Sequence, residues 1–184
     1  MKKLFILYFC IIPHAYSAIE IKANLINFNE DEQEKIQKAI EIIKRIVPSE
    51  EFKNQILNYE YKGSKRFKDN NGLSNEEILQ KIFDGAEMLK PEKNGVMDLE
   101  LELITEDSKT IGYTYPNTNR IWINKKYFVN YTPMQVADNL LHEWMHKLGF
   151  DHEHHRTKDR HHSVPYAIGY ILENLAYQAI ISDN

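Results

Sequence analysis

The chain has 184 residues, 42% of them hydrophobic, which suffices for one globular domain with a sizeable core and is too little for two ordinary ones. A formal net charge of −4 argues against nucleic acid as a partner. The only cysteine, Cys10, excludes an internal disulfide framework.

The first residues run Met1-Lys2-Lys3, then apolar from Leu4 to Ile12, then Pro13-His14-Ala15-Tyr16-Ser17-Ala18. A charged start, an apolar middle and small residues at the end are the parts of a secretory signal peptide, so export is expected, to the periplasm or the medium. Cleavage after Ser17, with Ala15 at the minus-three position, is the first expectation and cleavage after Ala18 the second. The division is therefore 1–17 as signal and 18–184 as a single domain. The apolar run falls well short of the ~20 residues that span a bilayer, so no stable membrane anchor is expected. Phe9 before Cys10 is too bulky for a lipoprotein signal, and the mature chain then has no thiol nucleophile, iron-sulfur cluster or zinc-cysteine site. Losing Lys2 and Lys3 takes the formal charge from −4 to −6.

From Asn29 to Val47, Ile36, Ile40, Ile43 and Val47 recur at helical spacing, Asn29 and Glu32 form a capping pair, and Pro48 ends the run. Residues 50–58 suit a short helix and 61–73 a polar loop. Ser74 to Glu77 is a second capping box, opening a helix with Ile78, Ile82, Ala86 and Leu89 on one side. Met97, Leu99, Leu101 and Leu103 then alternate with Asp98, Glu100 and Glu102, which predicts a half-buried strand. Ile111 to Tyr115 and Arg120 to Asn124 are β-prone runs around Pro116-Asn117-Thr118-Asn119, a hairpin pattern in which Trp122 is expected in the core.

Thr132, Pro133 and Gln135 open the next helix with a capping box and a proline at its first position. It runs to Leu148 and is largely apolar through Leu140, Leu141, Trp144, Met145 and Leu148, as befits a helix through the middle of a domain. Its last turns carry His142-Glu143-Trp-Met-His146, followed by Gly149 and His152. His142 and His146 are four residues apart, so both rings leave one helix face about 6 Å apart along the axis, a bite for one tetrahedral metal. Glu143 then neighbours the metal without binding it. Gly149 permits a left-handed turn that ends the helix and brings His152 back as third ligand. Asp138 and Asn139 are helix surface or a supporting partner for a histidine ring.

These five positions meet the consensus H-E-x-x-H-x-x-G-x-x-H, in which the chain resembles the metzincin metalloproteases. The resemblance implies an α+β domain: a small mixed sheet with backing helices, a central active-site helix and a short C-terminal helical subdomain. It implies one catalytic Zn2+ on His142, His146 and His152, with Glu143 as general base, and a protein or peptide substrate hydrolysed by metal-activated water. It further implies that an edge strand upstream of the zinc helix pairs with an extended substrate, a role assigned to Ile111 to Tyr115 or else only a sheet position.

The pattern also breaks. Metzincins carry a methionine in a turn after the third histidine, and no methionine here follows His152; Ser163-Val164-Pro165-Tyr166 occupies that place with Pro165 instead. Tyr166 is a candidate for a phenol that approaches the metal or donates to an oxyanion, or else an ordinary core tyrosine opening a helix from Pro165 to Ile181. The stretch from Glu153 to His162 holds four histidines and reads as solvated loop, with a second metal site or an acidic-substrate patch as alternatives. His154 rivals His152 as third ligand, but only His152 fits the glycine-turn spacing.

A hydrolase of cell-wall peptide crosslinks and a non-catalytic secreted zinc-binding module remain rival functions, and an intact Glu143 argues against the second. With only Ala18 to about Asn29 before the first helix, the usual inhibitory prodomain is not expected; activity directly after export, or a separate protein inhibitor, takes its place.

Overall fold

The computed structural model describes residues 19–182, so the expected signal segment 1–17 lies outside the described residues. Four strands, β1 (Glu20–Ile26), β2 (Val96–Ile104), β3 (Gly112–Thr114) and β4 (Arg120–Asn124), form one sheet in the order β1-β2-β4-β3. β1 and β4 each run parallel to β2, and β3 runs antiparallel to β4. Around the sheet stand α1 (Glu30–Ile46), α2 (Glu50–Leu57), α3 (Asn75–Asp84), α4 (Lys125–Phe128), α5 (Pro133–Lys147) and α6 (Val164–Ser182). Mixed sheet and helices agree with the expected α+β class.

Three local expectations need correction. No strand was expected before the first helix, yet β1 forms there. Ile21, Ala23 and Leu25 do alternate, but β1 owes its place to β2, where they pair with Met97, Leu99 and Leu101. The helix opened by Ser74 is shorter than the apolar pattern suggests: Gly85 adopts φ +65° and stops α3 before Ala86 and Leu89. Trp122 is not in the core. Ile121 and Ile123 face inward, so by strand alternation Trp122 points to the polar face, where its ring stacks on Tyr113 at 5.2 Å between centroids.

The remaining elements form for the expected reasons. Asn29 and Glu32 cap α1 reciprocally, Ser74 and Glu77 do so for α3, and Thr132 with Gln135 for α5. Ile36, Ile40 and Ile43 of α1 are buried with the inward residues of β2 and β4 in one hydrophobic cluster, which continues through α5 into Ile168 and Leu172 of α6. α5 sits between α1, α6 and β3 and is therefore buried on nearly every side, including Leu140, Leu141, Trp144 and Met145.

One polar anchor fixes α5 against the sheet. Trp144 donates from Nε1 to Glu87 Oε1 at 2.6 Å, and the Asp98 amide of β2 donates to the same oxygen at 3.0 Å. Burial raises the Glu87 carboxyl above the usual range while these two donors oppose it.

Candidate metal centre

The site grows from the end of α5. Gly149 N–H donates to His146 O at 3.0 Å and Phe150 N–H to Met145 O at 3.1 Å, which is a Schellman turn with Gly149 at φ +91°. Met145 and Phe150, the two apolar residues such a turn brings together, are both buried. The turn reverses the chain so that residues 150–152 pass back over the histidine face of the helix.

His142, His146 and His152 then converge, with one ring nitrogen of each lying within 4.8 Å of the others. Ring centroids are 5.1 Å apart for His142 and His146, 5.1 Å for His142 and His152, and 4.8 Å for His146 and His152. The Nε2 atoms of His142 and His152 face each other at 3.2 Å. Two of the rings have a main-chain partner behind them. His146 Nδ1 meets Phe150 O at 2.8 Å and His152 Nδ1 meets Glu153 O at 3.1 Å, while the Pro165 main chain lies near enough to His142 to act weakly on its protonation. A carbonyl at Nδ1 fixes the proton there and leaves Nε2 as a lone-pair donor, the arrangement that orients metal-binding imidazoles.

Electrostatics favour the same state. Burial pushes His142 well below the ordinary imidazole value and His146 down to about 4, with neighbouring histidines adding to both, and burial also lowers His152. Neutral imidazoles are the metal-binding form. Three such nitrogens could hold a metal ion and leave a fourth tetrahedral position open. His154 is exposed and outside the cluster, so the glycine-turn spacing identifies the converging residue correctly as His152.

Glu143 is buried beside this cluster, and burial raises its carboxyl to about 8, against the opposing Asn139 hydrogen bond and the Lys147 charge. Asn139 therefore supports Glu143 and not a histidine ring. Asp138 instead packs on α6, its Oδ1 filling the space where Gly169 lacks a side chain. Gly112 of β3 plays a matching part on the other side: a Cβ there would lie 2.8 Å from Asn139 Oδ1 and 3.3 Å from Glu143 Oε1. The edge strand thus passes directly over the carboxylate.

In the β3–β4 ladder Asn124 N–H bonds Ile111 O at 2.8 Å, so Ile111 and Tyr113 bond inward and the main-chain groups of Gly112 and Thr114 point to the open edge. At the far end of the hairpin, the buried Lys147 donates from Nζ to Thr118 O. α5 thereby holds both ends of the edge.

Tyr166 reaches the site too. Its half-buried ring lies 4.4 Å from that of His142 and 4.8 Å from that of His152, between centroids. The segment from Glu153 to His162 is mostly exposed, as expected of a solvated loop, and is tethered at several points. Glu153 pairs with Lys68, Asp159 with Lys62 at 2.8 Å and with Tyr61 OH at 2.9 Å, and His162 Nδ1 with Tyr59 OH at 2.7 Å. Among the described residues its histidines form no second metal cluster. Two contributors escaped the sequence: Asn139 as partner of Glu143, and Arg160, whose guanidinium stacks on Tyr166. Helical spacing could have found Asn139, four residues before Glu143; no local signal marks Arg160.

No protein-family model matches the chain, and no match is found among curated proteins.

Proposed function

We propose that this chain is an exported zinc metallopeptidase resembling the metzincins, with a protein or peptide substrate. The observation that carries the reading is the juxtaposition of three convergent imidazoles, a buried carboxylate at the first histidine's neighbour, and an open strand edge across that carboxylate. Each part has a use in peptide hydrolysis, and a purely structural metal site needs neither the carboxylate nor the edge.

Zinc is the favoured ion because a three-histidine set with an open position is its usual catalytic arrangement. Three imidazole nitrogens within 4.8 Å of one another are a donor set that would suit such an ion. When bound, zinc supplies Lewis acidity toward a water and a peptide carbonyl. His142, His146 and His152 would hold it, with main-chain carbonyls at Nδ1 of His146 and His152 to keep the proton there. Burial alone would keep Glu143 protonated near neutral pH; the charge of a metal held beside it would favour the ionised form, which would take a proton from the attacking water and pass it to the departing amine. Asn139 holds the carboxylate in place, and Gly112 and Thr114 offer main-chain groups that align an extended peptide. Tyr166, whose ring borders His142 and His152, would support charge developing on the carbonyl oxygen through its hydroxyl.

The test is a pair of variants. Glu143→Ala should retain one zinc per chain by elemental analysis and lose casein and peptide cleavage, whereas His146→Ala should lose both. Unchanged cleavage by Glu143→Ala would sink the mechanism. Purified peptidoglycan beside casein separates a cell-wall crosslink hydrolase from a protease.

A further inference from the structure

Arg160 begins the 3₁₀ turn Arg160–His162 that leads into α6. Its guanidinium carbon lies 4.6 Å from the centre of the Tyr166 ring, which itself borders His142 and His152. Its charge is felt at both of those histidines and at Tyr166 and Tyr170. Ser163 pins its backbone, donating from N–H and Oγ to Arg160 O at 3.1 and 2.8 Å.

Apart from the Tyr166 ring, the fold gives this guanidinium no partner among the described residues. Among the described residues no carboxylate pairs with it, and its Nε is sealed from solvent with no acceptor. Arg120 shows the contrast, held by Glu100 at 2.5 Å and Glu102 at 2.9 Å. The acids nearest Arg160 in sequence are engaged elsewhere, Glu153 with Lys68 and Asp159 with Lys62 and Tyr61. Exposed Arg156 adds a second positive charge felt at Tyr166 and Tyr170. A chain of formal charge −4 has no general attraction for anions, so this is a local preference.

We propose that Arg160 is a specificity-determining residue, and that the peptides this site takes carry a carboxylate, either a free C-terminus or an Asp or Glu side chain, which the guanidinium captures beside the metal centre. The proposal rests on the peptidase reading and names its substrate class. An arginine plane held against an aromatic face presents its donors in a fixed fork that matches a carboxylate, and partial burial strengthens the pair.

The zinc-loaded Glu143→Ala protein serves as receptor in calorimetric titrations with matched hexapeptides: C-terminal acid against amide, and Glu against Gln walked through each position. One acidic member should bind roughly ten- to a hundredfold tighter than its neutral partner. That ratio should fall to near one when Arg160→Gln is added and be partly kept with Arg160→Lys, which also serves if the glutamine variant fails to fold. A C-terminal pair or an internal pair identifies the carboxylate's source. The proposal is overturned if no pair binds or discriminates, if the ratio survives Arg160→Gln, or if both members weaken equally. Because binding is read on a protein that does not turn over, absence of hydrolysis by the native chain would remove the peptidase reading without touching this result.

Discussion

Gly149→Ala tests how the turn after α5 serves the metal centre. Gly149 has φ +91°, where a side-chain-bearing residue is disfavoured by about 1–2 kcal/mol. A Cβ there would lie 3.3 Å from Met88 Sδ and 3.4 Å from its Cγ, a tight contact with the end of a flexible side chain, so the backbone cost dominates. If the turn persists, the full cost falls on folding, a loss of roughly 2–8 °C in Tm for a domain of this size. If it relaxes, Phe150 O moves from His146 Nδ1 and His152 loses its place. Metal binding must then restore the turn, and affinity falls about 5- to 30-fold. Urea unfolding of the metal-free protein and competition with a chromophoric chelator measure the two parts separately. Stability within about 0.3 kcal/mol of the parent, together with metal affinity within about twofold, would refute the argument.

Three further outcomes are expected. Gly112→Ala should lower kcat/KM by about tenfold or more with little change in Tm, since its Cβ would displace Asn139 from Glu143; undiminished cleavage would separate β3 from the reaction. Tyr166→Phe should reduce kcat roughly ten- to a hundredfold at constant zinc content and KM, and an unchanged kcat leaves the ring as packing between two histidines. Asp138 gives a pH dependence: burial and the nearby Glu173 push its carboxyl up to about 7, against about 3.9 in the unfolded chain. The folded state thus keeps a proton that the unfolded state has shed, and the associated stability is complete below about 3.9 and lost as pH rises through about 7. Asp138→Asn should therefore gain on the parent between pH 5.5 and pH 8.5, by on the order of 1–3 kcal/mol in chemical denaturation; a pH-independent difference would rule out this titration.

The three converging histidines were legible because they depend on local geometry. His142 and His146 share a helix face by spacing alone, and Gly149 announces the turn that returns His152. The caps at Asn29, Ser74 and Thr132 are local for the same reason. What escaped depends on partners far along the chain. β1 is a strand because β2 lies beside it, more than seventy residues on, and its lysine, asparagine and alanine give little strand signal of their own. Trp122 looked like core because it is large and apolar, but the inward places of β4 belong to Ile121 and Ile123. Glu153 and Asp159 read as solvated until Lys68, Tyr61 and Lys62 met them. Arg160 escaped altogether, since what marks it is the lack of a partner in three dimensions.

The edge formed by β3 is only three residues long. Open strand edges invite other chains, and a short one limits that hazard because it supplies too few main-chain bonds to hold a stray strand alone. Brevity at this place has a second effect. Under the proposed function, a peptide pairing with Gly112 and Thr114 would have to gain the rest of its hold elsewhere, so the same economy that keeps the molecule from sticking to itself would make residence time depend on contacts outside the sheet.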